Sequence, residues 1–350
     1  MKSFWNKIRT LVVLAVFTVL LSACQETAQA ESVPTVTGES MVVATIDTTE
    51  TIEPTVEQPD LEADEATETS EPEETETPTE EPPTATPDVR LDPEDWRNWP
   101  VVPSISAHAI ELYQQAVANG ADPTHFSKIG DCQNVTSYFL ADFDRGRYRL
   151  GEEYAYLQET IDYYAGSWKR ESLAVQGGFN VASVMSPLRA DPTVCETDES
   201  PVECEFRLHR PSIVIISMET WWNHDDPSKY EFYMRHLLDT VLELGALPIL
   251  ATKADNLEGD HTINRSIAQL AYEYDIPMWN FWAATDPLPN YGLVETTVVD
   301  GETVDDNFHL TIGLGNYFDD PDNKVAAWPV RNLTALQTIH AVYEAVKGGD

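Results

Sequence analysis

From Ser212 onward, short apolar runs alternate with amphipathic stretches. Ser212 to Ser217 reads Ser-Ile-Val-Ile-Ile-Ser, the nearly all-apolar pattern of a strand covered on both faces of a parallel sheet. Lys229 to Leu244 sets Phe232, Leu237, Leu238, Val241, Leu242 and Leu244 at helical spacing and stops at Gly245, a residue suited to a left-handed helix end. Leu247 to Ala251 predicts a strand, Thr262 to Tyr274 a helix, Pro277 to Phe281 a strand and Leu333 to Val346 a closing helix. This order predicts an α/β domain, a three-layer α/β/α sandwich around a parallel sheet. Upstream, Ala107 to Ala118 reads as a helix, and His125 to Ile129 as a strand handing over to a helix from about Thr136. Tyr154 to Tyr164 reads as a helix, while Leu173 to Gln176 and Val181 to Met185 form one strand interrupted at Gly177-Gly178.

The N-terminal segment follows other rules. Lys2, Lys7 and Arg9 precede an apolar run, Leu11 to Leu21, that is too short for a membrane-spanning helix and reads as a secretory signal. It closes on Leu21-Ser22-Ala23-Cys24, the pattern of a bacterial lipobox, so residues 1–23 are expected to be removed and Cys24 to carry lipid. Two or more acyl chains hold a protein on a membrane stably, where one holds it only marginally. Residues 24–90 are rich in Thr, Glu and Pro, and from Gln25 to Asp88 there is no Lys or Arg. Such a segment buries too little apolar surface to offset the entropy of ordering, and is expected to be a disordered acidic tether. Residues 91–350 then make one domain, on the outer side of a bacterial membrane and held to it through the lipid alone.

Charge narrows the partners. The chain carries 60 acidic against 21 basic residues, a net charge of −39, which excludes nucleic acid as a partner because phosphates need a basic face. No Cys/His cluster has zinc spacing and no glycine-rich loop could cradle a phosphate, so neither metal nor cofactor is expected. Cys195 and Cys204 flank a polar segment and could close a hairpin disulfide in an exported domain, contributing on the order of 2–3 kcal/mol. That leaves Cys132, a thiol either buried and inert or kept for chemistry.

Cys132 lies in Gly130-Asp131-Cys132, where a strand ends, and Asp306-Asn307-Phe308-His309 places an acid and an imidazole three residues apart far downstream. In this order of blocks the chain resembles the SGNH, or GDSL-type, hydrolases, with cysteine where that family carries serine. The resemblance implies a Cys132, His309, Asp306 triad, in which His309 is the general base and Asp306 fixes its tautomer. It also implies an oxyanion hole from the Cys132 amide, the Gly178 amide and an asparagine side chain. A tryptophan stands where that asparagine is expected, and Asn223, two residues on, is the candidate for the role. Losing one such donor costs about 3–4 kcal/mol of transition-state stabilisation.

Trp221, Trp222 and Trp282 flank the expected mouth and suit stacking on sugar rings, while Lys253, Asp255 and Asn256 offer polar contacts to a substrate or caps to the following helix. The expected activity is hydrolysis of a small ester or an acylated carbohydrate by a monomer. The alternative is an inactive SGNH-like domain that binds glycan or another cell-surface component. The anchor is testable by itself: Cys24→Ser should lose metabolic labelling with a radioactive fatty acid and leave the membrane fraction, and equal labelling of both chains would reject the lipobox.

Overall fold

Strands β1 (Asp122–Gly130), β2 (Tyr148–Arg149), β3 (Pro211–Ser217), β4 (Leu247–Ala251) and β5 (Met278–Trp279) carry the apolar runs. They are seen in a computed structural model that describes residues 90–218 and 227–347. The signal segment, Cys24, the tether, Trp221, Trp222 and Asn223 lie outside those residues. Four strands form a parallel sheet in the order β1-β3-β4-β5, with Gly130 beside Ser217 and Ala251 beside Trp279. The carboxyl ends of β1 and β3 therefore finish side by side, where ligands of open parallel sheets bind.

Successive strand residues face opposite ways, and the core divides accordingly. Phe126, Ile213, Ile215, Leu247 and Ile249 join one apolar cluster, and Ile129, Val214, Ile216 and Leu250 join another. Each such side chain contributes about 1.5–3 kcal/mol when fully buried. The first cluster is completed by helices α1 (Ala107–Ala118), α3 (Gln158–Tyr163) and α8 (Ala327–Lys347), with Phe143 from the short α2 (Asp142–Arg145). The second is completed by α4 (Pro201–His209), α5 (Tyr230–Leu244) and α6 (Thr262–Tyr274). A short α7 (Phe281–Thr285) follows β5. Outside the sheet, β6 (Thr296–Val299) and β7 (Glu302–Asp305) make an antiparallel hairpin, and β8 (Asn316–Tyr317) pairs with β2.

Several expected elements differ. No helix runs on from Thr136: Cys132–Asn134 is one 3-10 turn, and Leu140 takes a left-handed φ of 65°. The backbone there is held by distant side chains instead, since Asn332 accepts from the Leu140 amide and donates to the Tyr138 carbonyl, and Arg145 donates to the Thr136 carbonyl. Leu173–Gln176 gives a single bridge, Val175 to Gly130, and Ser183–Met185 is 3-10 helix, so no strand forms there. Strand β5 is shorter than Pro277–Phe281 because Asn280 leaves the ladder to cap α7. Phe232, expected on the buried face of α5, is 69 % exposed; Tyr230, Met234, Leu237, Leu238 and Val241 make that face.

The Cys195–Cys204 disulfide is present, with Cα atoms 5.3 Å apart, but it does not close a hairpin. Cys204 sits in α4, whose start is set by Ser200 and Glu203, each side chain satisfying the other's backbone amide.

Lys128 is the exception inside β1. Its ammonium is buried with no hydrogen-bond partner among the described residues. Burial, helped by the nearby Arg170, pushes it down to about 7. The unfolded chain binds this proton more tightly, so the penalty is full below pH about 7 and disappears as pH rises through the ordinary lysine range. Lys128→Met should therefore melt at a higher temperature than the native chain at neutral pH, with the gap narrowing toward pH about 10. A gap independent of pH, read by thermal melts across that range, would reject the assignment.

Candidate active site

The turn after β1 is built by side chains that satisfy backbone groups the sheet no longer pairs. Asp131 takes an extended conformation; its Oδ1 accepts from the Gln133 amide at 2.9 Å and its carbonyl accepts from the Asn134 amide at 3.0 Å. Those amides are thereby occupied. The Cys132 thiol is half-buried. A single 3-10 turn brings no helix macrodipole of consequence to that thiol.

Gly130 has a steric reason to be glycine. An added Cβ would lie 2.0 Å from Asn134 Nδ2 and 2.5 Å from the Ser217 carbonyl oxygen. Asn134 Nδ2 is there because it donates to that carbonyl at 2.8 Å, tying the turn to the last residue of β3.

The second half of the site is the loop after the β6–β7 hairpin. Asp306 and Asn307 donate their amides to the carbonyls of Glu295 and Val294, and the Val294 amide donates to the His309 carbonyl. Asn307 adopts a left-handed φ of 52°, which asparagine tolerates. The turn so formed lets Asp306 Oδ1 accept from the Phe308 amide at 3.1 Å and the His309 amide at 2.8 Å. His309 Nδ1 lies 3.0 Å from both Asp306 carboxylate oxygens. The Asp306 side chain is 3 % exposed and that of His309 is 43 % exposed. A buried carboxylate thus holds one ring nitrogen, and the imidazole it orients is partly exposed to solvent.

Gln133, next to Cys132, donates from Nε2 to the carbonyl of Phe308, next to His309, at 3.5 Å. That contact brings the two motifs to the same end of the sheet. Gly178 is exposed with a left-handed φ of 84°, a conformation glycine adopts without strain. It follows the segment that pairs with the end of β1, where the Gly130 amide donates to the Ala174 carbonyl at 3.0 Å.

The residues after β4 are turned inward. Lys253 Nζ lies 2.6 Å from Asp255 Oδ1 and 2.6 Å from Glu258 Oε2, all three side chains being buried. Burial alone would lower Lys253, but the two carboxylates hold it above its ordinary value, while burial raises Asp255. Asn256 Oδ1 accepts from the His261 amide at the start of α6, the helix-capping option. The Trp282 ring packs edge-on to Trp96 and His261, with centroids 5.0 and 5.8 Å away.

A cavity of about 430 Å³ lies against α4, lined among others by Thr197, Glu203, Phe206 and Leu244, and none of the candidate residues lines it. Cys195, Glu199 and Cys204 approach one another as metal ligands do, but their two sulfurs are bonded to each other.

No protein-family model matches the chain, and no curated protein matches it.

Sequence reasoning missed Gln133, Asn134 and Arg331. Arg331 is fully buried in the first turns of α8, donating to Ser217 Oγ at 2.6 Å and to Asn134 Oδ1 at 3.5 Å. An arginine amid Trp328, Pro329, Val330 and Leu333 was the available signal, hidden because the closing helix was expected to begin at Leu333. The glycine makes a direct prediction: Gly130→Ala should destabilise the fold by about 1–3 kcal/mol or more. Chemical denaturation reads the shift, and an unchanged midpoint would contradict the contact.

Proposed function

We propose that the chain is a membrane-anchored, extracytoplasmic ester hydrolase of SGNH type, with the three-layer α/β/α architecture of that family. Its reading rests above all on the Asp306–His309 pair, a buried carboxylate bonded to a half-exposed imidazole, cross-tied through Gln133 and Phe308 to the turn bearing Cys132. His309 Nε2 takes the thiol proton as the Cys132 sulfur attacks the ester carbonyl. The tetrahedral oxyanion is received by the Cys132 and Gly178 amides and the Asn223 side chain. It collapses with loss of the alcohol, which leaves carrying the proton from His309, and a thioester remains. Water, deprotonated by His309, then attacks the thioester, and the carboxylic acid departs as the Cys132 thiol is restored. Asp306 holds Nδ1–H throughout and stabilises the imidazolium. The substrate class is a small ester or an acylated carbohydrate, with Trp221, Trp222 and Trp282 beside the sugar.

Hydrolysis of a chromogenic acetyl ester by the full-length chain tests the reading. Cys132→Ala and His309→Ala should each lower turnover roughly a thousandfold or more. Turnover by Cys132→Ser alone would mean that the scaffold serves an oxygen nucleophile and the thiol has disabled it. Silence from the native chain and every variant would reject the enzyme and favour the glycan-binding alternative, which binding to immobilised polysaccharide then examines.

A further inference from the structure

Helix α8 touches both halves of the candidate site. Its first amides, Ala327 and Trp328, donate to Thr311 Oγ1 at 2.9 Å and to the Thr311 carbonyl at 3.1 Å, two residues beyond His309. These are N-terminal helix amides with no partner inside the helix, so Thr311 both caps α8 and fixes the segment leading back to His309. One turn later, Arg331 reaches the other half. Its guanidinium bonds Ser217 Oγ and Asn134 Oδ1 and lies 4.8, 5.2 and 4.8 Å from the ring centroids of Phe139, Trp279 and Phe281. Asn134 completes the connection by donating from Nδ2 to the Ser217 carbonyl.

Packing alone does not explain an arginine here. Burying a guanidinium is costly, and an apolar side chain of similar volume usually serves a core position as well or better. What a guanidinium adds over an ammonium is a rigid planar fork that packs among aromatic rings while its Nη2 reaches two acceptors in fixed directions. Both hydrogen bonds leave Nη2, one to Ser217 Oγ at the end of β3 and one to Asn134 Oδ1 in the turn after β1.

We propose that Arg331 is a positioning residue for Cys132: acting through Asn134 and Ser217, it sets the Cys132–Asn134 turn against the end of β3, while the same helix holds the His309 segment through Thr311. One rigid helix thereby fixes the separation of thiol and imidazole. The chemistry of this inference rests on the proposed Cys132–His309 reaction, but its test does not require turnover.

Full-length native protein, Arg331→Lys and Asn134→Ala are compared by three measurements. Iodoacetamide alkylation of Cys132, followed by the mass of the peptide that carries it, is taken from about pH 6 to about pH 10, across the ordinary thiol range. Thermal melting and acetyl-ester turnover accompany it. In both variants the alkylation profile should move along the pH axis and the rate at neutral pH should fall roughly tenfold or more, with kcat lowered more than KM. Arg331→Lys keeps the charge without the fork, and Asn134→Ala breaks the relay with the arginine in place, so the second variant decides if the first does not fold. An alkylation profile that superimposes on the native one, in a variant that still melts cooperatively, overturns the proposal and leaves Arg331 a core staple. Altered profiles together with no ester turnover by the native chain would uphold the positioning role and reject the hydrolase.

Discussion

The carboxamide of Asn134 against the carbonyl of Ser217 is the contact on which the rest of the site depends. Where a parallel sheet ends, its last carbonyls and amides lose their neighbours and must find others or remain unsatisfied in a dry interior. Here the partner comes from the turn that carries the thiol. The approach is so close that Gly130 cannot carry a Cβ. Arg331 closes the same knot from below. Strand ends, nucleophile turn and closing helix are thus one polar assembly within an otherwise apolar core.

The two motifs differ in how they are held. Asp306 and His309 are fixed locally, since the carboxylate binds the ring and two amides within its own turn. Cys132 is fixed by its neighbours on either side and by residues far away in the chain, including Ser217 and Arg331. A local motif survives remodelling of the surrounding fold more readily than a distributed one. The buried Lys253–Asp255–Glu258 cluster shows the opposite use of charge, an ammonium held between two carboxylates inside a loop.

The legible parts of the sequence were those whose own pattern carries the physics. Thr262–Tyr274 matches its amphipathic stretch residue for residue, and β3 and β4 follow from unbroken apolar runs buried on both faces. Asp306-x-x-His309 was legible because its geometry is contained within its own turn. The region after Cys132 was not, because Asn332 and Arg145 supply hydrogen bonds that a local reading assigns to a helix. The start of α4 is written plainly as Ser200-Pro201-Val202-Glu203, a helix start that lies between two cysteines whose spacing suits a hairpin equally well. Arg331 acts entirely through tertiary contacts, and no spacing rule points from residue 331 to residues 134 and 217.

The turn that carries Cys132 is built to be conserved at some positions more than at others. Asp131, Gln133 and Asn134 hold the backbone on either side of Cys132 through contacts that do not involve its sulfur. The backbone that presents the thiol is therefore set largely by its neighbours' side chains. Substitutions over generations meet that frame unevenly: a single methyl at Gly130 collides with Asn134 and Ser217 and breaks it.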